Sequence, residues 1–244
     1  MRPIVLDYPY WRPSFEPRHL KKEAIWTIGE TAREQICGPS QRPKIPVAHL
    51  MARTRKVRVN GIDVDLCWEI DGSLEDEFGQ PTLGCTSHDE RWPNGAVICL
   101  NGKEIGERDD LARSTAAHEL GHGVFEVPAW IARCGRRATS TRRPQAAKAG
   151  ESDAAKMEWS EWRANEFMGA LIAPPRLLHR HAHKRAAALG VPMTSRGNGL
   201  PIVNGRKASS DAIEVLATEL AEIFGVSIAF IQVRMQKYRL ISPC

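Results

Sequence analysis

The segment His118-Glu119-Leu120-Gly121-His122 carries the sharpest chemistry in this 244-residue chain. It has the form H-E-x-x-H. On a helix, residues i and i+4 stand one turn apart on the same face. Two imidazoles so placed can grip one zinc ion. The glutamate between them can take a proton from a water that the ion acidifies. Leu111, Thr115, His118, His122 and Phe125 follow helical spacing on one stripe, which predicts that both histidines face inward. The competing reading is a pair of hydrogen-bonded core histidines; the stripe and the intervening glutamate favour the metal.

A catalytic zinc needs a third protein ligand and one open position. The longer H-E-x-x-H-x-x-G-x-x-H form fails, because Phe125 stands at its glycine and Pro128 at its third histidine. The best source is a helix predicted over about 155–172, on which Glu161, Ala164, Asn165 and Met168 share one face. The small residues Ala164 and Gly169 would let that helix approach closely, and Gly121 offers a matching gap. On spacing, Glu161 leads Glu158, Glu166 and Glu126 as third ligand, against the default of an exposed helix carboxylate.

Ala117-His118-Glu119-Leu120-Gly121-His122, followed by Glu161-x-x-Ala164-Asn165-x-Phe167 and Leu171-Ile172-Ala173-Pro174, resembles the ImmA/IrrE family of metallopeptidases. Met168 replaces an alanine of that pattern and Ala173 a methionine; Arg113-Ser114-Thr115 resembles the approach to its motif. The resemblance implies His118, His122 and Glu161 as zinc ligands and Glu119 as general base. It also implies a role in relieving transcriptional repression by cleaving a helix-turn-helix repressor. A His₂Glu set accepts several divalent ions, so Mn²⁺ and Fe²⁺ stand beside Zn²⁺.

The elements around these motifs follow from punctuation and period. Residues 1–16, with Pro3, Pro9 and Pro13, read as an extended N-terminal segment lying on the surface or partly mobile. A helix is predicted from Pro17 to about Gln35, then a proline-rich loop over 38–46. Strands are expected between Lys56 and Leu100, with a tight hairpin at Asn60-Gly61. Helices follow over about 107–125, 155–172 and 175–189, and residues 190–208 read as loop. The span 134–155 reads as a flexible basic loop. Residues 209–244 read as two helices split at Gly225-Val226-Ser227, resembling a helix-turn-helix with Gln232, Arg234, Gln236 and Lys237 exposed.

These readings give an α+β protein. Its metallopeptidase domain spans 17–190: a minimal zincin-like core with a small, mainly antiparallel sheet packed on helices, followed by the C-terminal helical pair. No run of 18 apolar residues exists, so no membrane span is expected. The six cysteines are scattered with no C-x-x-C pair, and the N-terminus lacks an export signal. That pattern predicts reduced thiols in a cytoplasmic protein and argues against a cysteine-based zinc site. The net charge of +5 is local: residues 127–150 hold six basic and no acidic residues, leaving 5 − 6 = −1 elsewhere. A protein-wide nucleic-acid face is therefore not expected.

The leading expectation is a zinc endopeptidase acting on a protein, with Tyr238, Arg113 or His179 as a second oxyanion donor. The alternative is a DNA-binding regulator whose zinc site is structural or sensory, contacting DNA through Arg234 and Lys237. His179 and His183 are also i, i+4 partners, but basic neighbours and the lack of a carboxylate between them make a solvated face the better reading. Trp159 and Trp162 are expected to anchor their helix in the core. Nothing in the sequence sets the oligomeric state.

Overall fold

The computed structural model describes residues 2–38, 42–75, 79–88, 92–138, 151–197 and 199–242. The elements run β1 (Ile4–Leu6), α1 (Lys22–Cys37), α2 (Val47–Arg53), β2 (Lys56–Val59), β3 (Ile62–Asp71), β4 (Gly84–Ser87), β5 (Gly95–Asn101), α3 (Gly102–Ile105), α4 (Asp109–Phe125), α5 (Val127–Ala138), α6 (Glu151–Ile172), α7 (Pro175–Ala188), β6 (Met193–Ser195), β7 (Pro201–Val203), α8 (Ser210–Phe224) and α9 (Ile228–Lys237). The chain is α+β, and among the described residues no helix is long and apolar enough to cross a membrane.

The sheet is mixed rather than mainly antiparallel. Its order is β1-β2-β3-β5-β4. β1 pairs parallel with β2 and β3 parallel with β5, while β2–β3 and β4–β5 are antiparallel. Parallel neighbours need a crossover. For β1 and β2 it is α1 with α2. For β3 and β5 it is the excursion through β4, which leaves β4 at the sheet edge. The β2–β3 hairpin turns at Asn60 and Gly61 as expected, both at positive φ (52° and 83°), the mark of a type I′ turn.

Residues 4–8 are built into the fold rather than laid upon it. Ile4 and Leu6 are buried strand residues, and the Tyr8 hydroxyl donates to the Val124 carbonyl at 2.9 Å. Three apolar residues are too few to register as an alternating pattern. Pro17 sits in a bridge to Tyr10, and α1 begins at Lys22 instead. The expected loop at 134–155 is helical at both ends, in α5 and α6; residues 139–150 of it lie outside the described residues. The expected loop at 190–208 contains the β6–β7 hairpin.

One face of the sheet, carrying Leu6, Val57, Val59, Val64, Leu66, Ile98 and Leu100, joins a core shared with α1, α4 and α6. The helices approach at small residues. A Cβ on Gly29 would lie 2.9 Å from the Ala170 Cβ, and one on Gly121 would lie 2.9 Å from the Ala164 Cα. The C-terminal pair forms as read, with Ser209 and Ser227 capping α8 and α9 and Gly225 in the left-handed conformation between them. It is locked onto the rest. Arg113 of α4 donates to the carbonyls of Ile45 (2.6 Å) and Gly225.

Candidate metal centre

α4 places His118 and His122 on one face because they are one turn apart, and the Gly121–Ala164 contact brings α6 against that face. Glu161, one turn before Ala164, then reaches both histidines. His118 Nε2 lies 3.2 Å from Glu161 Oε2, His122 Nε2 lies 3.3 Å from Glu161 Oε1, and the two Nε2 atoms are 3.1 Å apart. These residues form a group that could hold a metal ion. The spacing can be tested against coordination geometry. With ligand bonds of about 2.0–2.2 Å, the edges of a tetrahedron are about 3.3–3.6 Å. The three observed separations agree to within a few tenths of an ångström, and Glu161, at 48% side-chain exposure, leaves the outer side open to solvent.

A second layer orients the candidate ligands. His122 Nδ1 lies 3.2 Å from Glu126 Oε2, and Arg163 Nη2 donates to Glu126 Oε1 at 2.7 Å. Donation from Nδ1 fixes the tautomer that leaves the Nε2 lone pair for a cation. Ser160 Oγ stands 3.3 Å from the same Nδ1, and the Asn165 side chain hydrogen-bonds His118. Sequence reasoning weighed Glu126 only as a ligand. Its position four residues after His122 was the signal for this supporting role. Arg163 gave no comparable signal.

Glu119 points past the cluster. Its side chain is buried, and Thr86 Oγ1 of β4 lies 2.8 Å from its Oε2. A Cβ on Gly84 would fall 2.9 Å from Glu119 Cγ, so the carboxylate needs glycine beneath it. Burial raises the Glu119 carboxyl above its ordinary range, despite the His122 charge and the Thr86 hydrogen bond. Burial lowers His118, as does the charge of His122. Burial also opposes charge on His122, but hydrogen bonds to Glu126 and Glu161 outweigh it and lift it to about 10. Glu161 is held low, chiefly by its hydrogen bond to His122. Three carboxylates around two imidazoles make a centre that calls for positive charge.

The other nominated residues stand elsewhere. Arg113 is spent on backbone carbonyls, His179 Nε2 donates to the Pro201 carbonyl at 2.7 Å, and Tyr238 is buried edge-on against Trp26. None of the three faces the centre as an oxyanion donor. His181 packs on Phe224 while His183 is exposed, so the α7 histidines do not gather. Glu166 is buried away from the centre, accepting from Trp26, Arg234 and Lys237. Arg234 and Lys237 are therefore committed to Glu166 and do not form an exposed basic face. Gly169 gives Arg234 its space, not α4: a Cβ there would lie 2.0 Å from the guanidinium carbon. Trp159, 47% exposed, lines a cavity of about 400 Å³ with Trp162 and the N-terminal residues Trp11 and His19, rather than entering the core.

Comparison of the chain with protein families, characterised proteins and solved structures finds no match.

Proposed function

We propose that the chain is a zinc-dependent endopeptidase of zincin type. The observation that carries this reading is the convergence of His118, His122 and Glu161 at tetrahedral spacing, beside a buried carboxylate that is not itself a member of the set. A divalent ion held there would supply Lewis acidity, acidifying a water and polarising a carbonyl. With such an ion in place, Glu119 would be the group that takes up a proton on its carboxylate and hands it to the leaving amine. Its raised proton affinity suits both steps. Thr86 holds one carboxylate oxygen, so the other is free for the exchange. Glu126 and Arg163 keep His122 aimed.

The edge strand β4 supports a peptide as substrate. It carries Thr86, and its outer side has no strand partner among the described residues. An extended peptide adding to such an edge gains main-chain hydrogen bonds. The resemblance to ImmA/IrrE peptidases makes helix-turn-helix repressors the first substrates to test. The test is Glu119→Gln. It is expected to keep about one metal ion per chain, since the ligands are intact, and to lose cleavage of a repressor that the parent cuts. Cleavage at the parental rate by this variant would overturn the assignment of Glu119. A parent protein that takes up no zinc would overturn the reading as a whole.

A further inference from the structure

Cys134 of α5 has an imidazole as its partner. Its Sγ lies 3.1 Å from Nε2 of His88, and Nδ1 of the same ring lies 2.7 Å from the Gly95 carbonyl. A carbonyl oxygen only accepts, so Nδ1 carries the proton and Nε2 presents its lone pair. The thiol therefore donates to the imidazole. Trp130, one turn before Cys134 on α5, sets its ring 6.2 Å from that of His88 and backs it. Nucleophile, base and orienting carbonyl thus stand in sequence, the arrangement that activates a cysteine toward covalent chemistry. Both residues are partly exposed, so a small solute can approach the pair. The surroundings of other thiols differ. Cys67 and Cys99 donate to the Glu69 carboxylate at 3.9 and 3.8 Å. Burial pushes the Cys37 thiol up, away from the reactive thiolate.

We propose that Cys134 and His88 form a thiol-modification site that takes low-molecular-weight disulfides. His88 Nε2 accepts the Sγ proton, and the thiolate attacks one sulfur of the disulfide. A new sulfur–sulfur bond joins Cys134 to half of the reagent while the reagent's own bond breaks. The departing thiolate takes the proton from His88 and leaves as a thiol. Cys134 is oxidised, the departing thiol is the reduced product, and no other oxidant is needed. The imidazole serves the reverse reaction equally, so a free thiol removes the adduct. The site also lies where Glu119 would feel it. Side chains alternate along a strand. Thr86 of β4 turns to Glu119 of α4, and His88, two residues on, turns to Cys134 of α5. A mixed disulfide replaces the S–H donor with bulk between α5 and the end of β4, and so disturbs the strand that holds Glu119. That consequence rests on the peptidase reading; the modification does not.

The probe is glutathione disulfide, incubated with the full-length protein at neutral pH, with the mixed disulfides located and timed by peptide mass spectrometry. An unassisted cysteine is a thiolate only to about a few per cent at neutral pH, so base assistance is expected to make Cys134 react about tenfold or more faster than Cys37. In urea the two rates are expected to converge. This comparison needs no variant, and a native Cys134 no faster than Cys37 would overturn the site. His88→Asn keeps a donor for the Gly95 carbonyl and removes Nε2. It is expected to slow modification of Cys134 by about tenfold or more. If His88 were only a packing partner, its removal would uncover the thiol and raise the rate. A rate unchanged or raised in His88→Asn would therefore overturn the assignment of His88 as base. Neither readout involves metal or peptide cleavage, so the site stands or falls separately from the peptidase reading.

Discussion

Gly121→Ala sets two effects of opposite sign against each other at the contact that brings together the candidate metal centre. Alanine in place of glycine within a helix favours folding by about 1 kcal/mol. The new methyl, however, would lie 2.9 Å from the Ala164 Cα and 3.2 Å from its Cβ. Unstrained carbon contacts need about 3.5–4.0 Å. The obstacle is backbone, so no side chain can swing aside, and α6 must back away by roughly 0.6–1 Å. Overpacking of this kind costs about 1–3 kcal/mol, which leaves a net loss of up to about 2 kcal/mol. The functional effect is larger than the loss of stability. Glu161 sits three residues before Ala164 on the same helix and moves with it, whereas metal ligands tolerate about 0.2 Å. Zinc affinity, measured by competition with a chromophoric chelator, is expected to fall, and the melting temperature of the zinc-free protein to fall with it. A variant stabilised by about 1 kcal/mol with parental zinc affinity would refute the reasoning, because it would mean that α6 does not press on α4 at this point.

Glu126→Ala removes the carboxylate partner of His122 Nδ1, leaving only Ser160 beside it, and is expected to weaken zinc binding by about 10–100-fold, read in the same competition assay. Thr86→Val frees the Glu119 carboxylate while leaving all three ligands, so zinc content is expected to hold while turnover of a cleaved substrate falls. Glu166→Gln leaves Arg234 buried with its counter-charge gone and is expected to cost about 3–5 kcal/mol in urea unfolding. The same residue sets a pH signature. Burial alone would raise its carboxyl, but hydrogen bonds from Lys237 and Trp26 and the Arg234 charge hold it below its ordinary value. Its contribution to stability is therefore complete above the unfolded-state value of about 4.3 and is lost as pH falls through the lower folded value. Unfolding midpoints of the parent should drop across that acid window, and Glu166→Gln should flatten the drop.

The clustering of His118, His122 and Glu161 was largely legible in the sequence because it is built from helical periodicity. The histidines at i and i+4, the Gly121 gap and the position of Glu161 next to Ala164 are all consequences of 3.6 residues per turn. The sheet was not legible to the same degree. Alternation marked strands in the 56–100 region, but it carries no information on neighbour order, so β4 beyond β5 and the parallel pairs came only from the structure. The buried charges failed for a related reason. A basic residue on an amphipathic helix is exposed by default. Arg234 departs from that default because Glu166 waits 68 residues earlier in sequence, a pairing that no local pattern announces. The pairing of Cys134 with His88 was hidden in the same way.

A ligand set divided between two helices is only as precise as the packing that fixes one helix on the other. Besides its packing on α1, α6 is held by the Gly121–Ala164 contact to α4, the Arg163–Glu126 bridge to the end of α4, and the Arg234–Glu166 pair to α9. The first two lie within one turn of Glu161 and act directly on its position. The third lies five residues further along, on the side facing α1 and α9, where Trp26 also donates to Glu166. Its loss loosens the helix without pushing it. Substitutions at Gly121 or Glu126 should therefore lower zinc affinity more than they lower stability, and substitutions at Glu166 should do the reverse. That contrast distinguishes residues that aim the ligands from residues that only keep the helix in place. It also assigns the C-terminal pair a structural task on this chain, since α9 is the element that carries Arg234 and Lys237 to α6.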